Sequence, residues 1–169
     1  MVVKRIYLDM DGVLADFNRG MEELLKLVPF EQGRGYNPEK NDELFEKMRE
    51  YGHFYGDLKP IPGAKTFFDN VYERFGDRCE ILTGIPKPRR GIVFAKEDKI
   101  LWVNRFLSSD VVVHVVQREE KQNFCFGKDC VLVDDYENNI KQWVKRGGTG
   151  ILFTNGEDVL KKIDDMRLE

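Results

Sequence analysis

Five short apolar runs rich in β-branched residues punctuate the chain, over residues 2–8, 79–82, 111–116, 131–133 and 150–153. Nearly continuous apolar runs of this length predict strands buried on both faces. Apolar spacing near 3.6 residues predicts helices between or after them, over 64–75, 97–107, 138–145 and 157–166. Phe75-Gly76 and Arg146-Gly147-Gly148 supply stop signals for two of these helices. Strand–helix alternation of this kind predicts an α/β fold, with a mostly parallel sheet between two layers of helices.

One stretch breaks the rhythm. Residues 17–59 hold no good strand but two amphipathic segments, 18–27 and 42–51, joined through Gly33-Arg34-Gly35-Tyr36-Asn37-Pro38. Lys59-Pro60-Ile61-Pro62-Gly63 then marks a boundary, because each proline disfavours helix in the residue before it. The pattern predicts a core of residues 1–16 and 60–169 and a small helical insertion, 17–59, after the first strand.

Composition narrows the function classes. With 169 residues and 41% hydrophobic positions, the chain can bury a full core without disulfides. No apolar run reaches the roughly 20 residues that a membrane span needs. The first residues enter a strand with neither a secretory core nor an Arg-rich amphipathic leader, so a cytoplasmic protein is expected. A net charge of −3 argues against a nucleic-acid polymer as partner. Cys79, Cys125 and Cys130 form no CxxC pair and, beside only two histidines, make no zinc pattern; they read as packing residues.

Chemistry gathers where the strands end, the edge at which open α/β sheets hold their ligands. Asp9-Met10-Asp11-Gly12-Val13-Leu14-Ala15-Asp16 follows the first strand, Thr83-Gly84 the second, and Asp134-Asp135 the run 131–133. Alone, an Asp-x-Asp can be an Asx turn and an Asp-Asp a helix cap. In a parallel sheet the three would converge. Converging carboxylates repel one another and lose solvation, and a hard divalent cation relieves both costs. Mg²⁺, with its preference for oxygen ligands, suits such a site and a phosphate-bearing substrate. Gly12, without a Cβ, suits a sharp turn beside a ligand.

The string Asp9-x-Asp11-Gly-Val-x-x-Asp16 resembles the first motif of the haloacid dehalogenase superfamily of phosphotransferases, Thr83 its second and Asp134-Asp135 its fourth. The longer strings from Asp9 to Phe17, and Phe54-Tyr55-Gly-Asp-Leu58-Lys-Pro60-Ile-Pro62-Gly63-Ala64, resemble the 5′(3′)-deoxyribonucleotidases. The resemblance implies a Rossmann-like three-layer core, with the insertion as its cap. It implies Asp9 as nucleophile and Asp11 as general acid and base. Mg²⁺ would sit among Asp9, Asp11 (through its carbonyl), Asp134 and Asp135. Thr83 and Gly84 would bind phosphate, although Gly84 departs from the hydroxyl that related nucleotidases often carry. Lys121, in Gln117-Arg118-Glu119-Glu120-Lys121, is similar to the family's lysine after the same strand. Lys99, in Asp98-Lys99-Ile100-Leu101-Trp102, resembles a second family pattern, an acid-Lys pair ahead of a Trp, which implies a further phosphate contact.

Cap aromatics can either stack on a base or pack the insertion. Phe17, Tyr36 and Phe54 are the candidates for the substrate, while Phe30 and Phe45 read as packing. His53 and His114 show no partner pattern. These readings predict a magnesium-dependent phosphomonoesterase acting on a nucleoside monophosphate, with deoxy forms implied by the resemblance; a homodimer is left open. Another small phosphate ester remains an alternative substrate. A receiver-like phosphoryl switch remains an alternative class, although the Asp11 position and the insertion are features it does not need. A P-loop kinase is excluded, since Phe126-Gly127-Lys128-Asp129 fails at the last position.

Overall fold

A computed structural model describes residues 1–30 and 38–168 of the chain. β1 (Val2–Val3) and β2 (Arg5–Leu8) lead to α1 (Phe17–Leu25), α2 (Pro38–Tyr51) and α3 (Ala64–Phe75). Then follow β3 (Cys79–Ile85), α4 (Ala95–Phe106), β4 (Val113–Gln117) and β5 (Cys130–Asp134). The chain closes with α5 (Glu137–Lys145), β6 (Thr149–Leu152), α6 (Gly156–Ile163) and β7 (Arg167–Leu168).

Five strands form one parallel sheet in the order β4-β3-β2-β5-β6. β2 lies at its centre. From β2 the chain steps outward through β3 and β4, then returns to the other side of β2 as β5 and β6. The C-terminal end of β2 is therefore the topological switch point, where doubly wound sheets open a crevice.

Alternation along the strands separates two apolar layers. Ile6, Leu8, Ile81, Val131 and Val133 join one cluster with α3, α4 and α6. Tyr7, Leu82, Cys130 and Leu132 join a smaller one around Trp143 of α5. The α/β, three-layer architecture expected from the pattern is the one found.

The insertion shares the larger core, since Met21 and Leu25 of α1, Leu44 and Met48 of α2, and Phe54 and Leu58 are all buried in it. Asp16 caps α1, its Oδ1 accepting from the Arg19 backbone N–H at 3.2 Å. Two expectations are adjusted. The first apolar run is two strands, because β1 pairs with β7 while β2 joins the main sheet. His114, in β4, does have a partner: its Nε2 lies 2.6 Å from Glu80 Oε2. All three cysteines are free. Burial pushes the Cys79 thiol up to about 12 and the neighbouring Glu80 adds to the rise, which suits a packing role. Among the described residues, no helix is long and apolar enough to cross a membrane.

Candidate active site

After β2 the backbone folds tightly around one carbonyl. Met10 O accepts from Val13, Leu14 and Ala15 N–H groups at 3.3, 2.8 and 2.9 Å, so Asp9 and Asp11 leave the strand end on a compact turn. Gly12 sits in this turn with φ +79°, and a Cβ there would lie 2.0 Å from Asp135 Oδ2. Both the conformation and the close approach require glycine. Asp135 thus packs directly on the turn that carries Asp9 and Asp11.

Asp9 N–H donates to Val133 O at 2.9 Å, which sets the ends of β2 and β5 side by side. Across this seam Asp9, Asp134 and Asp135 each bring a carboxylate oxygen within 4.8 Å of the other two. Lys121 lies in the 3₁₀ segment Arg118–Phe124 that follows β4, and is 3% exposed. Its Nζ donates to Asp9 Oδ1 at 2.7 Å and to Asp134 Oδ2 at 2.8 Å. Asp134 is fixed further by the Tyr136 backbone N–H at 2.8 Å and by Asn139 Nδ2 at 3.0 Å.

One ammonium does not neutralise three carboxylates. Burial, then repulsion from Asp9, Asp134 and Asp11, pushes the Asp135 carboxyl up to about 8. Asp134 is raised by burial and by Asp9. Burial opposes the charge on Lys121, yet Asp9 and Asp134 hold it above the usual lysine range. A hard-oxygen set with surplus negative charge is what a divalent cation satisfies.

A second cluster lies on the β3 side. Lys99 of α4 is fully buried, and its Nζ donates to Asp11 Oδ2 at 2.7 Å, Thr83 Oγ1 at 2.9 Å and Gly84 O at 2.6 Å. The same Nζ lies 4.4 Å from the centroid of the Tyr55 ring. Asp11 Oδ1 is buried and has no hydrogen-bond partner among the described residues. An oxygen in that state is ready to meet a ligand or hold a proton.

Asp9, Asp11, Thr83, Gly84, Lys99, Lys121, Asp134 and Asp135 therefore converge at one sheet edge. Phe17 is half-buried at the start of α1, edge-on to Phe54 at 5.4 Å and tilted against Tyr55 at 6.3 Å. Phe54 has no exposed surface and backs Phe17 from within the core. Tyr36 lies outside the described residues. Tyr55, one of the cap aromatics that could stack on a base, instead packs on Phe17 and covers the Lys99 ammonium.

The chain matches the model of the 5′ nucleotidase, deoxy (pyrimidine), cytosolic type C protein family over residues 2–166. It is 28% identical over 140 residues to a candidate 5′(3′)-deoxyribonucleotidase of Vibrio phage KVP40, covering 79% of this chain and 67% of that one. It is also 28% identical over 166 residues to the human cytosolic-type 5′(3′)-deoxyribonucleotidase, covering 89% and 79%. Among solved structures, a magnesium-bound HAD-hydrolase of Bacillus subtilis, YfnB, superposes with a TM-score of 0.61 at 13% identity, over 97% of this chain and all of that one. That likeness shows the fold.

Proposed function

Because the chain belongs to the family of cytosolic type C deoxy (pyrimidine) 5′ nucleotidases, a family of phosphoric-monoester hydrolases, we propose that it cleaves deoxyribonucleoside monophosphates through a phosphorylated Asp9. The observation that carries this reading is the convergence of the Asp9–Lys121–Asp134 cluster and the Asp11–Lys99–Thr83 cluster at one sheet edge.

Roles follow from position. Asp9 is the most enclosed carboxylate on the β2 side of the seam, with one oxygen on Lys121, and its other oxygen attacks phosphorus. The bond from phosphorus to the sugar oxygen breaks. Asp11, through its unpartnered Oδ1, gives a proton to that leaving oxygen. In the second half-reaction Asp11 takes a proton from water, the water oxygen attacks phosphorus and the bond to Asp9 breaks, releasing inorganic phosphate. Thr83 Oγ1 accepts from Lys99 and keeps its own hydrogen for a phosphoryl oxygen, and we assign the Gly84 N–H a second such contact; Lys99 binds the phosphate, and Lys121 offsets the negative charge of the nucleophile and the phosphoryl group. Asp9, Asp134 and Asp135, with the Asp11 carbonyl, would hold Mg²⁺. When bound, it supplies the positive charge that draws a phosphate dianion to a cluster of carboxylates.

We assign residues 17–59 as the cap, with Phe17, backed by Phe54, as the face for the base. Tyr36 stays a candidate for the same pocket. The test is phosphate release from 5′- and 3′-mononucleotides, deoxy and ribo, alongside sugar phosphates, with Mg²⁺ and with chelator. Chelator-sensitive turnover concentrated on deoxynucleotides is expected. Turnover confined to sugar phosphates would discard the nucleotide pocket, and a phosphorylated chain without turnover would point to a switch.

A further inference from the structure

Residues 53–58 carry contacts for which phosphoryl transfer itself has no use. They run along one face of α4 and meet it at three points. The His53 ring stacks on Phe94, with centroids 4.1 Å apart and planes 26° apart. Its Nδ1 lies 2.9 and 3.1 Å from the two oxygens of Asp98. Two residues on, the Tyr55 ring covers the Lys99 ammonium. Three further on, Leu58 O accepts from Trp102 Nε1 at 2.8 Å. Phe94, Asp98 and Trp102 are four residues apart and so form one stripe on the helix.

Asp98 is 6% exposed, whereas the His53 side chain is 59% exposed. A nearly buried carboxylate needs a donor, which places the proton on Nδ1. Lys99 follows Asp98 directly, and its ammonium ties Asp11 to Thr83 and Gly84. We propose that His53 is a positioning residue: through Asp98 it fixes the register of residues 53–58 on α4, and thereby holds Lys99 and Tyr55 where the phosphate binds. The kinetic part of this inference rests on the phosphomonoesterase reading; the register does not.

Two substitutions separate donor from ring. His53→Phe keeps the stack on Phe94 and loses the Nδ1–H. His53→Asn loses the ring and keeps an amide N–H close to where Nδ1 stands. The position is exposed enough that neither change empties the core. Two quantities are read on each folded protein: the rate at which acetic anhydride labels Lys99, followed by peptide mass spectrometry, and KM and kcat for a deoxynucleoside monophosphate with Mg²⁺. His53→Phe should raise Lys99 labelling and KM each by about tenfold, with kcat within about twofold, as expected for lost ground-state binding. His53→Asn should return both close to wild type. Unchanged labelling and KM in His53→Phe, or an Asn variant no better than Phe, overturns the proposal. If wild type releases no phosphate from any monoester, the functional reading fails, and Lys99 labelling still decides the register.

Discussion

Lys121→Met replaces the one cation that bridges Asp9 and Asp134 with an apolar chain of similar length. At separations of 2.7 and 2.8 Å, each pair is worth about 6 kcal/mol at an effective dielectric constant of about 20. Desolvation cancels most of that attraction, and removing one partner of a buried pair costs about 3–5 kcal/mol. The loss here belongs near the upper end, because Asp135 remains beside the two stranded carboxylates. From a total stability of about 5–15 kcal/mol, the variant still folds. Mg²⁺ at about 100 times its dissociation constant stabilises any folded form that binds it by about 2.7 kcal/mol, and the gap to wild type narrows because the variant, with no ammonium on Asp9 and Asp134, binds the cation more tightly. Urea unfolding of wild type, Lys121→Met and Lys121→Arg, each in chelator and in Mg²⁺, measures these terms. Phosphate release should fall about 10²- to 10³-fold in Lys121→Met. A loss under about 1 kcal/mol in chelator, or one that Mg²⁺ does not shrink, would refute the charge argument.

Three further predictions rest on the same turn and seam. Gly12→Ala should cost about 1–2 kcal/mol for the left-handed backbone alone, and more for displacing Asp135, so thermal unfolding and the Mg²⁺ concentration needed for half-maximal turnover should both worsen. Asp135, with a folded value of about 8 against an ordinary carboxylate near 3.9 unfolded, holds its proton more tightly when folded. Its contribution is therefore present below about pH 4 and lost as pH rises through about 8, so metal-free protein should lose urea resistance across that window, and saturating Mg²⁺ should flatten the slope. Asp9→Asn should abolish phosphate release, with an unfolding midpoint in chelator at or above that of wild type, because one repelling carboxylate has gone.

What the sequence made legible was whatever depends on local pattern. Asp9, Asp11, Thr83 and Asp134 could be read because each ends an apolar run, and a parallel sheet brings such ends together. Lys121 was readable only through its similarity to the family's lysine after the same strand, and nothing local said that it would be 3% exposed. Contacts between distant segments left less trace. His53 and Asp98 are 45 residues apart, and neither position carries a periodic signal for the other. The break at Lys4 depends on β7, at the opposite end of the chain. β3 runs past Thr83 to Ile85 because Gly84 and Ile85 pair with Val116 and Gln117, a tertiary gain that overrides the weak strand preference of glycine. Phe54 shows the limit of composition, since an aromatic in a cap can face a base or a core and only burial distinguishes them.

The most direct measurement is the mass of Asp11→Asn after incubation with an aryl phosphate and Mg²⁺. An aryl leaving group needs no proton from residue 11, so Asp9 can still be phosphorylated, but water then lacks its base. The variant should gain the mass of one phosphoryl group, located by peptide mapping to the segment containing Asp9, and Asp9→Asn/Asp11→Asn should gain none. A phosphoryl group on any other residue, or rapid aryl release with no adduct at any time, would contradict Asp9 as the nucleophile.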